Sequence, residues 1–306
     1  MPTWEKNKTL IVITGPTASG KTGLAVRLAQ AVNTSIISAD SRQCYQGMAI
    51  GTAQPSASEL AQVPHYFVNE FPVTQAQNAA DFERLGTIAL QEIFEKSDTA
   101  ILCGGTGLYI KALLEGLDEM PAVDPGIVSA VEREYKLNGL TWLQETLRRE
   151  DPCTANIKEW ENPARLIRAL SFLRSIGESI SQYRSGQKKE RPFHVIKLAL
   201  EVPRELLYQR INERVGIMLE AGLEAEVRSL IPYRVLSPLQ TVGYSELFDY
   251  FDGHLSLDEA IDKIRQHTRN YAKRQLTWLR RDHDITWISA ADTAQIRLER
   301  LGIPGL

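Results

Sequence analysis

No stretch of this chain stays apolar for the ~18–20 consecutive residues that a membrane-crossing helix needs, so a spanning protein is not expected. Cysteine is scarce as well. Cys44, Cys103 and Cys153 lie far apart and form no metal-ligand spacing, so they read most simply as reduced thiols in a cytoplasmic protein. Charge of one sign is also lacking. A formal net charge of −3 does not announce a nucleic-acid binder, although a local basic patch can act whatever the total. Residues 1–8 are polar and lack the apolar core of a signal peptide. There are no internal repeats and no low-complexity segments, and 43% apolar with 24% charged residues is ordinary for a globular protein. At 306 residues the chain can form one large α/β domain, or one domain carrying an insertion.

What is present centres on Gly15-Pro16-Thr17-Ala18-Ser19-Gly20-Lys21-Thr22, which fits the phosphate-loop pattern G-x-x-x-x-G-K-[ST]. The flanks fit too: Leu10–Ile13 reads as a buried strand leading in, and Leu24–Gln30 as a helix leading out. Gly15 and Gly20 let the backbone curl so that its N–H groups converge on phosphate oxygens, and the helix N-terminus adds partial positive charge. Lys21 brings a full positive charge, and the Thr22 hydroxyl is the expected ligand of a magnesium ion, Mg2+. The bland alternative is an accidental match on a strand–turn–helix. The expected fold is a P-loop NTPase-like parallel sheet flanked by helices.

Further along, Ser35–Ser38 reads as a second buried strand ending in Asp40-Ser41-Arg42-Gln43. Loops after parallel strands build the ligand crevice, so Asp40 is expected beside the phosphate loop as a proton acceptor or magnesium partner, unless it merely caps a turn. Val63-Pro64-His65-Tyr66 reads as an ordered turn, with His65 structural rather than catalytic. Residues 78–96 have helical spacing, and Thr99–Cys103 reads as a third strand opening into Gly104-Gly105-Thr106-Gly107-Leu108-Tyr109, where glycines are expected to bring backbone close to a ligand. No strand ends in the acid that NTPases use to hold magnesium, which counts against nucleotide hydrolysis.

From about residue 120 the strand–helix alternation stops and helical patterns dominate (Ile127–Leu137, Thr141–Arg149, Pro163–Ser175), so residues 120–191 are expected to form an all-helical insertion in a core of residues 1–119 and 192–306. Between Arg148 and Arg191 ten Lys/Arg face six Asp/Glu, and Arg165 and Arg168 share a helix face, either as a solvated surface or as a contact for a polyanion. His194–Leu200 returns to strand character. The helix after Pro203 places Arg210 and Arg214 on one face, as surface charges or an anion clamp. A final helix, Leu257–Arg281, interleaves Lys263, Arg265, Arg269, Lys273, Arg274, Arg280 and Arg281 with Tyr271 and Trp278; such mixing suits looped RNA, where phosphates need charge and splayed bases need stacking surfaces.

Taken in order, these motifs resemble the tRNA dimethylallyltransferases, bacterial type. The resemblance rests on Gly15–Thr22, Asp40-Ser41-Arg42-Gln43, Gly47-Met48 with Ile50-Gly51-Thr52-Ala53, Val63-Pro64-His65, Gly104–Tyr109, Val242-Gly243-Tyr244, and Lys273-Arg274-Gln275 with Thr277-Trp278-Leu279-Arg280. It implies transfer of a dimethylallyl group from dimethylallyl diphosphate to the exocyclic N6 amine of the adenosine 3′ of the anticodon. Lys21 and Arg214 would then stabilise the leaving diphosphate, Asp40 would be the general base, and Thr17 and Thr106 would orient adenine or a diphosphate oxygen. Asp40, Ser41, Arg42, Gln43 and Thr106, the loop Gln240-Thr241-Val242-Gly243-Tyr244-Ser245, Arg165 and Arg168, and Lys273, Arg274, Gln275, Trp278 and Arg280 are the expected contacts to the tRNA anticodon stem-loop. A monomer is expected, without the zinc-finger extension of eukaryotic relatives. Gln54, Tyr66 and Cys44 depart from the family's usual residues.

Two enzymes and one binder compete with this reading. A small-molecule phosphate-loop kinase would not be expected to carry Asp40–Gln43 together with Gly104–Gly107. An adenylate isopentenyltransferase of cytokinin synthesis would have no use for the helical insertion or the basic, aromatic final helix. An RNA-binding protein with a relic loop has no physical reason to keep Lys21, Thr22 and Asp40 together.

Overall fold

The computed structural model describes residues 8–156 and 160–290. Its core is a six-stranded, all-parallel sheet among the described residues, in the order β3-β2-β4-β1-β5-β6. β1 (Thr9–Thr14) is wholly buried and flows through the phosphate loop into α1 (Lys21–Ala31). β2 (Ile36–Ser38) precedes the Asp40 loop; α2 (Ala57–Gln62) carries a Ser56–Glu59 capping box, and β3 (His65–Tyr66) follows. α3 (Ala79–Phe94) starts at Asn78, whose side chain accepts from the N–H groups of Ala80 and Asp81, and β4 (Thr99–Gly104) runs into α4 (Gly107–Glu115).

The sequence places β1 at the centre because Leu10 to Ile13 are apolar without a break and the flanking Thr9 and Thr14 are small enough to bury. Its register pairs Leu10 with Ala100 of β4 on one side and with Val195 on the other, so side chains on both faces must be covered by helices. One apolar cluster includes Leu10, Val12, Leu102, Phe82 and Tyr109; the opposite face holds Ile11, Ile13, Leu24, Leu28 and Leu198.

The chain divides into two compact units, residues 1–115 with 190–306, and residues 116–189. The second unit is helical. Its α5 (Pro125–Glu150) breaks at Gly139, whose φ of +78° no helix accommodates, and this corresponds to the two separate helical patterns in the sequence. α6 (Pro163–Ile176) packs on α5 through Leu166, Leu170, Leu143 and Leu147. Arg174 pairs with Glu134 and Glu150, and Asp151 accepts from the hydroxyls of Thr154 and Ser179 within that unit.

The first unit resumes with β5 (His194–Glu201), α7 (Arg204–Glu220), α8 (Leu223–Ser229), α9 (Tyr244–Phe251), α10 (Leu257–Leu279) and β6 (Ile285–Ser289). Two strands differ from the sequence reading. β3 is only two residues long and was read as a turn, and β6 is a half-exposed edge strand with no continuous apolar run. No described helix is long and apolar enough to cross a membrane.

Candidate active site

The phosphate loop leaves β1 with Gly15 at φ +153° and Gly20 at φ +90°, and Gly20 starts α1 with no side-chain cap. The free N–H groups of that first turn therefore face the cleft, as an anion site requires. Lys21 Nζ reaches only the Pro16 carbonyl, at 3.5 Å. Burial pushes its ammonium below the usual lysine range, partly opposed by Cys103 and Asp40. Arg214, on α7, lies 3.4 Å from Thr17 Oγ1, and burial likewise lowers its pKa. Neither cation has a carboxylate at ion-pair distance among the described residues. Two desolvated cations without counterions make a strong anion trap.

Asp40 follows β2 at the same end of the sheet. Its Oδ1 accepts from the N–H groups of Arg42 (2.9 Å) and Gln43 (3.3 Å), which fixes the carboxylate in its turn. Two clefts meet here. The first, about 880 Å³, is lined by the phosphate loop, Ser38, Asp40, Ala53, Arg210, Arg214 and Met218. The second, about 600 Å³, is lined by Asp40, Ser41, Arg42, Gln240-Thr241-Val242-Gly243, Ser245, Lys263, His267, Tyr271 and Arg274. Thr17, Asp40, Thr52, Ala53, Arg214 and Met218 belong to both walls. A phosphate cradle thus opens through a carboxylate-bearing junction into a basic, aromatic chamber.

Several residues read as ligand-facing turn inward instead. Gln275 is buried in α10; its Oε1 accepts from the Thr17 N–H (2.8 Å) and its Nε2 donates to the Gly105 carbonyl (3.0 Å). It is a strut between the phosphate loop and the glycine turn, not a tRNA contact. Tyr244 is fully buried, its hydroxyl donating to Glu226 Oε1 at 2.6 Å and its ring against Gly51. Gly243 stays in the wall of the second cleft but is buried, its N–H donating to Glu246. Gln43 donates from Nε2 to the Thr52 and Ala53 carbonyls, so its amide holds the wall of the first cleft rather than reading a base. Trp278 packs on Gly107, where a Cβ would come within 2.4 Å of the indole.

The glycine turn is corrected with them. A Cβ at Gly104 would meet the Ala39 carbonyl at 2.2 Å, and one at Gly105 would meet Gln275 at 2.1 Å. These glycines make room for the protein's own backbone and α10, and Gly104 also lines the first cleft. Thr106 accepts from the Ser41 N–H (3.0 Å) and donates to Ser41 Oγ (3.4 Å), so it positions the turn that carries Asp40.

The basic residues separate into groups. Arg274 lines the second cleft, whereas Lys273 and Arg280 line a different groove with Arg204 and Tyr208. Arg165 and Arg168 are exposed on α6 in the helical unit. Glu226 was missed in the sequence: it accepts from the N–H groups of Ile50 and Gly51 as well as from Tyr244, and so hangs the loop forming the shared wall. Nothing local in the sequence marks it, because its backbone partners lie 175 and 176 residues away and Tyr244 lies 18 away. Glu246, buried and 2.5 Å from His267 Nδ1, was also missed. Gln54, one of the departures, donates to the Gln43 and Tyr45 carbonyls. His65 Nδ1 sits 2.8 Å from the Val63 carbonyl, in keeping with a structural role.

The oxygen donors that line the first cleft with Thr22 are hard ones: the Asp40 carboxylate, the Ser38 hydroxyl and the buried Ser19 hydroxyl, which has no partner among the described residues. No cluster of three or more His, Cys, Asp or Glu exists among the described residues. Mg2+ needs no such cluster, since it binds through one or two protein oxygens with phosphate oxygens and water, so these residues fit it.

Residues 43–282 match the family model described as IPP transferase. The tRNA dimethylallyltransferase of Cytophaga hutchinsonii is 46% identical over 290 residues, 95% of each chain. That of Christiangramia forsetii is 45% identical over 278 residues, 91% of this chain and 92% of the relative. Among solved structures, the tRNA isopentenylpyrophosphate transferase of Bacillus halodurans superposes with a TM-score of 0.71 at 34% identity, covering 96% of both chains. A eukaryotic dimethylallyltransferase acting on tRNA superposes with a TM-score of 0.79 at 26% identity, covering 97% of this chain and 78% of that one.

Proposed function

The chain belongs to the IPP transferase family, and from that premise we propose that it transfers a dimethylallyl group from dimethylallyl diphosphate to the N6 amine of the adenosine immediately 3′ of the anticodon (position 37) in tRNA, releasing diphosphate. The observation that carries this reading is the junction: Asp40 stands between a cleft built around two unpaired cations and a chamber that holds Arg274 and Tyr271.

The diphosphate lies on the N–H groups of residues 15–22, with Lys21 and Arg214 against its oxygens. As the C1–O bond breaks, charge builds on the departing diphosphate, and these prepositioned cations stabilise it without reorganisation. Binding the anion also relieves the desolvation that lowers the pKa of both groups. Mg2+ held by Thr22, with Asp40 and Ser38 nearby, would supply further neutralisation of diphosphate charge. The adenine enters from the second cleft after swinging out of the anticodon-loop stack. Its amine is a weak nucleophile because the lone pair is delocalised into the ring. A new N6–C1 bond forms as the Asp40 carboxylate takes the amine proton. Arg42, Arg274 and Tyr271 surround the base. Arg165 and Arg168 on the helical unit, with the exposed cations of α10, grip the stem-loop phosphates. A tRNA-modifying enzyme with reduced thiols works in the cytoplasm, here as a monomer.

The test is label transfer from dimethylallyl diphosphate to an anticodon stem-loop RNA, to the same RNA with the target adenine replaced by guanine, and to free AMP. Label on the adenine-containing stem-loop alone supports the proposal. Label on AMP alone would move the protein to cytokinin synthesis, and consumption of ATP without label transfer would make it a kinase.

A further inference from the structure

The six residues shared by the two clefts differ in what they offer. Thr17, Asp40, Thr52 and Arg214 are polar or charged, and Ala53 contributes one methyl group. Met218 is the one long apolar side chain at the junction. We propose that Met218 sets the length of the prenyl chain the enzyme accepts, by closing the end of the space beyond the reacting carbon. This rests on the dimethylallyl-transfer reading above.

The placement follows from the two clefts and from the helix. The diphosphate lies in the first cleft and the amine arrives from the second, so C1 of the donor sits at the junction. Arg214 holds the diphosphate end, through its contact with Thr17. Met218 is four residues further along α7, hence on the same face and ~6 Å along the axis. From C1 to a terminal methyl, a dimethylallyl group spans three carbon–carbon bonds, an extended reach of about 4 Å. The C5 chain therefore ends at the Met218 thioether.

A second isoprene unit doubles the reach and needs the space that Cγ, Sδ and Cε of Met218 fill. Beyond Arg214, the other residues that the α7 side gives to the first cleft offer no stop. Ala221 is small, and Ile217 is 64% exposed, pointing its apolar side chain at the rim. Methionine suits the task because its unbranched thioether moulds to a small branched alkyl group.

The experiment compares dimethylallyl and geranyl diphosphate as donors to the adenine-containing stem-loop, for the native protein and for Met218→Ala, Met218→Val and Met218→Leu. In the native protein kcat/KM favours the C5 donor. Met218→Ala raises the geranyl-to-dimethylallyl ratio of kcat/KM at least about tenfold, the low end of what hydrophobic-pocket complementarity discriminates. Met218→Val gives an intermediate ratio, and Met218→Leu, which conserves volume, keeps the native ratio within about twofold. The ratio is internal to each variant, so reduced folding in one of them does not mask it, and any folded member of the series reads it. Unchanged ratios in the variants, with native C5 transfer intact, overturn the role of Met218. Absence of C5 transfer by the native protein overturns the underlying function instead.

Discussion

Replacing Gln275 separates a strut from an RNA reader. Gln275 spans two backbone groups, the Thr17 N–H at 2.8 Å and the Gly105 carbonyl at 3.0 Å, and both are bound by its one amide. Each such bond contributes ~1 kcal/mol net, and its loss strands a partly buried partner, so Gln275→Ala costs about 2–3 kcal/mol. In a unit of this size that lowers Tm by about 4–12 °C. Gln275→Glu keeps the acceptor but loses the donor, and it sets a carboxylate against the Gly105 carbonyl and beside the diphosphate. It is expected to bind donor more weakly than the alanine variant. The assay pairs thermal unfolding with separate titrations of donor and RNA. Expected are a lower Tm and a donor KM raised about tenfold, with RNA Kd within about twofold, because the lost contacts shape the phosphate loop and the glycine turn behind it and not an RNA-facing surface. An unchanged Tm with weaker RNA binding would refute the strut and restore Gln275 as a tRNA contact.

Asp40→Ala is expected to lower kcat by about 10²–10⁴-fold, the range for loss of a general base, with RNA binding by filter retention almost unchanged. Lys21→Met removes a buried ammonium whose pKa burial depresses, so Tm of the ligand-free protein rises while donor transfer is lost; because the folded state binds this proton less readily than the unfolded one, the difference in Tm narrows as pH climbs toward the lysine range. Burial also holds His65 below its ordinary value of 6.5, so the unfolded chain takes up the proton first and stability falls as pH drops through that value; urea midpoints at about pH 5.5 and 7.5 should show this slope, reduced in His65→Asn. Gly107→Ala places a methyl group within 2.4 Å of the Trp278 indole and is expected to cost about 1–3 kcal/mol, read by urea denaturation.

The place of the phosphate loop was legible because its pattern is local. Such a loop is contiguous, needs glycines at fixed offsets, and stands between a buried strand and a helix, so residues 15–22 declared where they would sit. Asp40 followed from the rule that loops after parallel strands share one crevice. The rest was less legible because packing and binding ask for the same residue types. The glycines at 104, 105 and 107 looked like a ligand approach, yet the space they leave is filled by Ala39, Gln275 and Trp278. Tyr244 and Gln275 sit in motifs expected to carry recognition, but a motif does not say which of its side chains face inward. Glu226 and Glu246 act across the fold on backbone and imidazole partners, and no spacing along the chain betrays such pairs. β3 and β6 escaped notice because a two-residue strand has no periodicity, and an edge strand with one wet face has no apolar run.

The position of β1 has a bearing on how the nascent protein is made. β1 is hydrogen-bonded on both edges, to β4 on one side and to β5 on the other. β4 emerges early, but β5 comes only after the whole helical unit has been translated. At ordinary ribosomal speeds β5 follows β1 after on the order of 10–40 s, during which Leu10 to Ile13 present an open apolar edge. Over those seconds the helical unit can fold alone beside an unfinished sheet. The Gln275 strut arrives later still, so the phosphate loop reaches its working shape only once α10 has been synthesised.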